Sequence, residues 1–311
     1  MQFQDASGRA AQTSKALWRV SVIIPLYQGE NYITSCLESV LQQTYPVYEV
    51  LVVDDGSQDR GPDIVRRYGD PVRLITQPNG GPGAARNTGC AHATGDILAF
   101  LDQDDLWLPE KLERQLPYFS EPQVGLVHCA ATPWNLNVSE PRCNTFDELW
   151  ERNRIVQSSV LLRRSIFEAL GPFETDMVGV EDYNYWLRVA AAGHGILHCP
   201  GKLCDWTEQP TSYSRNTRRM FEAECRSAER IAALVGMPDE KLQAKRVQLA
   251  LRYGREMFTR RELAGARSLY YQAACMAPSL KAITWLLATF LPRFCLNLVR
   301  PPHQNRWQTQ P

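Results

Sequence analysis

Over the first 130 positions, apolar residues gather in short runs: Val20–Leu26, Tyr48–Val53, Val72–Ile75, Ile97–Leu101 and Val124–Cys129. Each run holds four to seven residues, mostly Val, Ile or Leu. That pattern predicts strands buried on both faces of a largely parallel sheet. The segments between them carry helical spacing. Ile33, Leu37, Val40 and Leu41 share one side of Tyr32–Leu41, and Pro62–Tyr68, Ala84–Ala93 and Pro109–Phe119 fill the other gaps. Strands alternating with helices predict an α/β fold with right-handed crossovers.

Thr132–Arg154 breaks this rhythm with Pro133, Pro141 and several Asn, and reads as a long loop. Order returns with a strand at Ser158–Leu162, a helix at Arg164–Leu170 stopped by Gly171-Pro172, and a helix at Asp182–Ala192 with Tyr185, Trp186 and Val189 on one side. Ile196–His198 and Lys202–Trp206 are two weaker strands. From about Asn216 strand signals vanish. Arg226–Val235, Glu240–Thr259 and Leu263–Met276 read as helices, the last two as a hairpin. Ala282–Leu291 follows, with Trp285, Leu286, Leu287 and Phe290, and beyond Pro292 come Phe294, Leu296, Leu298 and Val299 between Arg293 and Arg300. The first of these runs is too short to span a bilayer. An interfacial helix with Arg near the headgroups is the reading placed first, ahead of a helix packed on the core or on a partner subunit. The chain thus divides into a polar N-terminal tail (1–18), an α/β domain (19–215) and an all-helical extension (216–311), with peripheral membrane contact expected through 279–300.

Composition narrows the partners. The 311 residues include 34 Lys and Arg against 34 Asp and Glu, with 44% apolar and 22% charged residues. This is a folded chain rather than a mainly disordered one, and the zero balance lends no support to a nucleic-acid partner. The nine cysteines are odd in number and contain no C-x-x-C, which points to free thiols in a reducing compartment. Met1–Leu17 is polar without an apolar signal core, so a cytoplasmic location is expected.

Two acidic clusters stand at predicted strand ends. Val50–Val53 runs into Asp54-Asp55-Gly56-Ser57, and Ile97–Leu101 into Asp102-Gln103-Asp104-Asp105. In open α/β sheets ligands bind beyond the carboxyl ends of the strands. A single Asp serves a turn or a helix cap just as well. Three carboxylates within four residues, however, repel one another unless a cation or hydrogen-bond donors offset them. Such oxygens suit Mg²⁺ or Mn²⁺, which keeps waters and bridges to substrate phosphates. A third cluster, Glu181-Asp182, opens a helix, where acid is favourable by ~0.3–1 kcal/mol whatever its role. In Asn79–Gly83, the glycines supply a turn and Pro82 starts a helix, without the spacing of a phosphate-binding loop.

Five segments carry a resemblance: Val20-Ser-Val-Ile-Ile-Pro-Leu-Tyr-Gln-Gly-Glu30, Cys36-Leu-Glu-Ser-Val-Leu-Gln-Gln-Thr-Tyr-Pro46, Val53-Asp-Asp-Gly-Ser57, Asn79-Gly-Gly-Pro-Gly-Ala-Ala-Arg-Asn-Thr-Gly89 and Phe100-Leu-Asp-Gln-Asp-Asp-Leu-Trp-Leu-Pro109. In order and spacing they resemble the family 2 glycosyltransferases, inverting nucleotide-sugar enzymes of the GT-A fold. The resemblance covers roughly Val20 to Asn216. It implies a Rossmann-like mixed sheet and a donor site lined by Pro25, Tyr27 and Glu30, with Tyr27 facing the base or ribose. Asp55 would accept from the base edge, Asp102 would reach the ribose hydroxyls, and Asp104 would coordinate Mn²⁺ or Mg²⁺ on the diphosphate. Arg86 would sit near the donor. Asp182 would be the catalytic base, taking the acceptor hydroxyl proton, with Glu181 orienting acceptor or base. A nucleotide-sugar donor, UDP-linked, and a glycan or lipid-linked acceptor in cell-surface polysaccharide assembly are the implied partners.

The family often has a His before the Pro-x-Ser of the segment written here Trp206-Thr-Glu-Gln-Pro-Thr-Ser-Tyr-Ser-Arg215; this chain has Gln209. An amide oxygen is the poorer metal ligand, which leaves room for a catalytically weakened binding protein. A sugar nucleotidyltransferase is a further alternative, though its Gly-rich first turn is replaced by Pro25-Leu-Tyr-Gln-Gly-Glu30. The Q-x-x-R-W pattern of processive synthases is missing. Trp134, Trp150 and Trp206 are open between sugar stacking and core packing, and His92, His128, His194 and His198 read as surface or packing residues.

Overall fold

The structure is a computed structural model and describes residues 18–132, 138–207, 209 and 215–291. Most of the N-terminal tail, Trp134 and the apolar run after Pro292 lie outside these residues, so the readings placed on them are not addressed. The parallel half of the sheet comes from β1 (Val20–Leu26), β2 (Glu49–Asp54), β3 (Val72–Thr76) and β4 (Ile97–Phe100), joined through α1 (Ile33–Leu41), α2 (Gly61–Val65) and α3 (Pro82–His92). Then follow β5 (Leu106–Trp107), α4 (Lys111–Gln115) running into a 3₁₀ turn, β6 (Val124–Thr132), β7 (Arg142–Asn144), α5 (Phe146–Glu151), β8 (Leu161–Arg163), α6 (Arg164–Leu170), α7 (Glu181–Ala191) and β9 (Gly195–Asp205). The strand order is β3-β2-β1-β4-β8-β6-β9-β5, with β7 on the side of β9.

The fold is the mixed α/β sheet that the resemblance implies, with antiparallel pairs made by β8 in its middle and by β5 and β7 against β9. β8 lies antiparallel between β4 and β6, which are thereby left parallel to one another. The buried runs carry two faces each. Val22, Ile24, Val50 and Val52 pack under α1, while Ile23, Leu51, Leu98 and Phe100 pack with Phe173, Tyr185 and Trp186 on the other side. Alternate side chains feed two cores, so the strands read as unbroken apolar runs. Gly89 of α3 lies so close to the sheet that a Cβ would stand 2.5 Å from Ile23 Cγ2.

Three expectations are corrected. The supposed long loop contains β7 and α5; Thr145 and Glu148 form a reciprocal capping box that starts α5 despite the surrounding Pro and Asn. The two weak strands are one strand, β9, whose pairing with β6 shifts register between Cys129 and Ala130. The strand expected at Ser158–Leu162 begins as a 3₁₀ turn at Gln157–Ser159 and becomes β8 only at Leu161.

After Asp205 the described chain is helical: α8 (Thr217–Val235), α9 (Asp239–Thr259), α10 (Leu263–Met276) and α11 (Leu280–Ala288). α9 and α10 form the expected hairpin, with Tyr270 against Gly254, where a Cβ would lie 2.9 Å from the ring. Polar contacts fix the helices to the sheet domain. Asn184 of α7 donates to Ser227 at 3.1 Å, Arg230 pairs with Glu174 and Asp176, and buried Lys245 donates to the Trp150 and Glu151 carbonyls that end α5. No helix among the described residues is long and apolar enough to cross a membrane.

Candidate active site

The carboxyl ends of β1, β2 and β4 meet at one rim of the sheet. Directly after β1, Tyr27 donates its N–H to Gln103 Oε1 and accepts from Gln103 Nε2, both at 2.9 Å. Gln103 is the middle residue of Asp102-Gln103-Asp104, so this pair clamps the β1 loop to the β4 loop. A Cβ at Gly29 would meet Gln103 Oε1 at 2.3 Å, hence the glycine. Tyr27 itself is 46% exposed, open to a ligand above the rim, and Pro25 is half-buried beside it. Gln28 turns to φ 50° and its Oε1 accepts from the N–H groups of Gln58 and Asp59, joining the β2 loop to the same rim. Glu30 is paired with Arg60 at 3.1 Å, and this guanidinium holds its carboxyl below the usual range.

Asp55 is buried, and its carboxylate organises the Gly-rich loop. Oδ1 accepts from Gln77 Nε2 at 2.8 Å and from Gly80 N at 2.9 Å, and Oδ2 accepts from Gly81 N at 2.8 Å. Gly81 has φ 86°, a conformation glycine adopts freely. The loop delivers Pro82 to the first turn of α3, and α3 carries Arg86 inward. Asp54 accepts from Ser57 N at 2.9 Å, an ordinary turn bond.

Arg86 is the centre of the site. Its side chain is only 6% exposed, and its fork is divided: Nη2 donates to Asp102 Oδ1 and Nη1 to Glu181 Oε1, each at 2.7 Å. Burial opposes the charge, but Asp102 and Glu181 outweigh it and hold the guanidinium more firmly protonated than usual. Glu181 is completed by Gly179 N, which donates to Oε2 at 2.5 Å. Asp182 is half-buried next to this pair and accepts from Tyr183 N at 2.6 Å. Burial and the adjacent Glu181 charge push its carboxyl up to about 7, against a smaller opposing effect of Arg86.

The three carboxylates after β4 have separate fates. Asp102 is held by Arg86, and its N–H donates to Ser158 Oγ at 3.0 Å. Asp105 is buried and turned away, accepting from Ser158 Oγ at 2.5 Å and from Thr207 N at 2.8 Å. Asp104 is half-buried, and burial together with the Asp102 charge pushes its carboxyl up to about 6. This donor set contains no group of three metal-ligating side chains among the described residues. It fits a divalent ion that takes one protein carboxylate and fills its shell with diphosphate oxygens and water.

Residues 21–170 match the model of Glycosyl transferase family 2. The chain is 34% identical over 193 residues to the Escherichia coli UDP-Glc:alpha-D-GlcNAc-diphosphoundecaprenol beta-1,3-glucosyltransferase WfgD, covering 60% of this chain and 75% of that one. This chain belongs to glycosyl transferase family 2. An uncharacterized glycosyltransferase of Rickettsia prowazekii is 28% identical over 183 residues, and there the match spans 54% of this chain and only 58% of the relative. Among solved structures, the Pyrobaculum calidifontis mannosyltransferase PcManGT, in complex with GDP-Man and Mn²⁺, superposes with a TM-score of 0.63 at 25% identity, over 92% of this chain and 82% of that one. Coverage that high includes most of the helices after β9.

Two further residues of the chain make contacts after β1 and β9. Tyr32, ahead of α1, donates its hydroxyl to Gln209 Oε1 at 3.0 Å. Trp206 is half-buried; its N–H donates to the Thr132 carbonyl at 3.0 Å, and its ring packs against the core. Thus Arg86, Asp102, Glu181 and Asp182 come together as one group, while Glu30 is taken up by Arg60. Gln103, Ser158 and Gln77 complete the site without having been singled out in the sequence. Gln103 occupies the variable place of its motif, and the other two act through residues more than 20 positions away, which only the fold reveals.

Proposed function

We propose that this glycosyltransferase moves a single sugar, with inversion, from a UDP-linked donor to a hydroxyl of a glycan or lipid-linked acceptor in cell-surface polysaccharide synthesis. The catalytic unit is 19–215, and the extension 216–311 brings it to the inner face of a membrane through 279–300. The observation that carries this reading is the divided fork of Arg86. It neutralises Asp102 and Glu181 and leaves Asp182 as the partly buried carboxylate with an affinity for protons matched to neutral pH. The printed activity of WfgD, a glucosyl transfer from UDP-Glc to a diphosphoundecaprenol-linked sugar, supports the choice of donor and acceptor.

In the proposed reaction the acceptor hydroxyl lies against Asp182. As its oxygen attacks the anomeric carbon, the proton passes to Asp182 and the bond from that carbon to the diphosphate oxygen breaks on the opposite face. One base suffices, since the diphosphate leaves without needing a proton. Tyr27 and the Gln103 clamp position the nucleotide, and Asp102, fixed by Arg86, orients the ribose. Asp104 would hold Mn²⁺ or Mg²⁺, which supplies positive charge to the departing diphosphate when bound.

The test is a screen of UDP- and GDP-sugars with the purified protein and Mn²⁺, read as nucleotide release and as transfer to a diphosphoundecaprenol-linked GlcNAc. Release of UDP with a new β-linked product is expected. Pyrophosphate release from a nucleoside triphosphate would replace this reading with a nucleotidyltransferase, and no turnover of any donor would replace it with a binding protein.

A further inference from the structure

We propose that the outer face of α10–α11 docks onto an anionic phospholipid bilayer. The proposal deepens the membrane contact in the function above and rests on that reading for its purpose. α11 is apolar on two sides. Inward, Trp285 packs edge-on to Phe258 at 5.3 Å and stacks on Tyr270 at 6.0 Å. Outward, Leu280, Ile283 and Leu287 follow one another at spacings of three and four, the repeat of a single helix face. Leu280 is 83% exposed and Leu287 63%; Phe290 and Leu291 extend the stripe past the end of the helix, and Tyr271 widens it from α10. A cleft of about 400 Å³ opens beside it, lined by Ala264, Arg267, Ser268, Tyr271, Leu286 and Phe290.

Charge selects the occupant. Residues 263–311 contain Arg267, Lys281, Arg293, Arg300 and Arg306 and not one Asp or Glu, although the whole chain is neutral. The last 49 residues therefore carry a formal +5 and the preceding 262 carry −5. An exposed apolar stripe inside an acid-free basic segment matches a negatively charged lipid surface, which takes apolar side chains at its boundary and cations at its headgroups. Two copies of such a surface would repel, which disfavours self-association. Residues 292–299 add Phe294, Leu296, Leu298 and Val299 between two Arg, so the sequence continues the same composition beyond the described residues. Arg267 ties the two helices: it donates to the Thr289 side chain and carbonyl and lies 3.9 Å over the Phe290 ring.

The test is flotation of the full chain with phosphatidylglycerol-containing vesicles and with pure phosphatidylcholine vesicles. The protein is expected to float with the first and not the second, and to be released by high salt. Leu287→Asp and Leu280→Asp should each lower the bound fraction at least about tenfold, whereas Leu234→Asp, at an exposed apolar position of α8, should leave it unchanged. Circular dichroism confirms that each variant is folded; Leu280, at the first position of α11, gives a second readout should Leu287→Asp unfold. The proposal fails if the wild type stays unbound, or if Leu234→Asp is as damaging. It fails equally if the stripe variants abolish a dimer instead of flotation, or if deleting residues 292–311 raises binding severalfold, which would make that segment the true cover. Nucleotide-sugar turnover measured on the same samples separates the two readings. Turnover without flotation sinks only the docking, and flotation without turnover sinks only the enzymatic reading.

Discussion

Arg86 and Glu181 meet at 2.7 Å in the interior, joining the second turn of α3 to the start of α7 across 95 residues of chain. The contact sets the distance between the carboxyl ends of the strands and the helix that carries Asp182. Arg86→Ala would leave a buried Glu181 carboxylate without its cation, at a cost of about 3–5 kcal/mol. Arg86→Lys keeps the charge but reaches one partner at a time, because an ammonium lacks the planar fork. The expected outcome is a clear drop in melting temperature for Ala, a smaller one for Lys, and a loss of turnover on the order of a hundredfold in both. Thermal unfolding and kcat measured together check this; a Lys variant with full turnover would show that the fork does not position the site.

The carboxyl of Asp182 is pushed up to about 7 by burial and by Glu181. As a base it must be ionised, so kcat/KM should climb with unit slope below pH 7 and level off above, with pH 6 roughly tenfold slower than pH 8. Stability runs the other way. A folded-state pKa above the ordinary 3.8 means that the folded protein holds this proton more tightly than the unfolded chain. The resulting stabilisation is complete below the ordinary value and is lost as pH rises through the folded one. Asp182→Asn should therefore melt higher than wild type at pH 8, match it near pH 3.5, and have almost no turnover. A flat rate profile from pH 5.5 to 8 would remove Asp182 as the base.

Strands that serve two cores could be read from the chain directly. Val20–Leu26 coincides with β1 because all seven residues are apolar or small, whichever face they join. Likewise Arg164–Leu170 and Leu263–Met276 coincide with α6 and α10. Part of what escaped depends on distant partners. β5 is two residues long and exists only because it lies against the end of β9. α5 is started by the Thr145–Glu148 box, a signal hidden among Pro and Asn. The acidic motifs were equally legible as a set, but their division of labour was not. Asp105 belongs to Ser158 and Thr207 and Asp102 to Arg86, and no spacing along the chain distinguishes them from Asp104. Asp55, expected at the base edge, organises Gly80 and Gly81, a role visible only once the loop folds back on β2.

Gln103 holds Tyr27 through two hydrogen bonds, one given and one received. Gln103→Glu keeps the acceptor for Tyr27 N and removes the donor to Tyr27 O, while adding charge beside Asp102 and Asp104. The β1 loop should loosen at a cost near 1–2 kcal/mol, raising donor KM about tenfold with little change in kcat. Gly29→Ala attacks the same clamp from the other side, since its Cβ would lie 2.3 Å from Gln103 Oε1. It should mimic the KM effect. Isothermal titration with UDP reads both; unaltered affinity in both variants would mean that the clamp is structural only.

Metal dependence is the sharpest test of how Asp104 differs from its neighbours. Its carboxylate is the one of the three not engaged by Arg86 or by the Ser158–Thr207 pair, which is what a ligand to Mn²⁺ or Mg²⁺ requires. Chelation should abolish turnover and added Mn²⁺ should restore it. Asp104→Ala should lose the Mn²⁺-dependent part of UDP binding, at least about a hundredfold, while keeping its melting temperature. Asp105→Ala should do the reverse, lowering stability by about 1–3 kcal/mol through the orphaned Ser158 and Thr207 groups. Gln209 stands across the rim, held by the Tyr32 hydroxyl at 3.0 Å. Because imidazole is the stronger ligand, Gln209→His should lower the Mn²⁺ concentration needed for half-maximal turnover. If that concentration does not move, position 209 lies outside the metal's reach, and Tyr32 and Gln209 act together only to hold the segment after β9 against the donor rim.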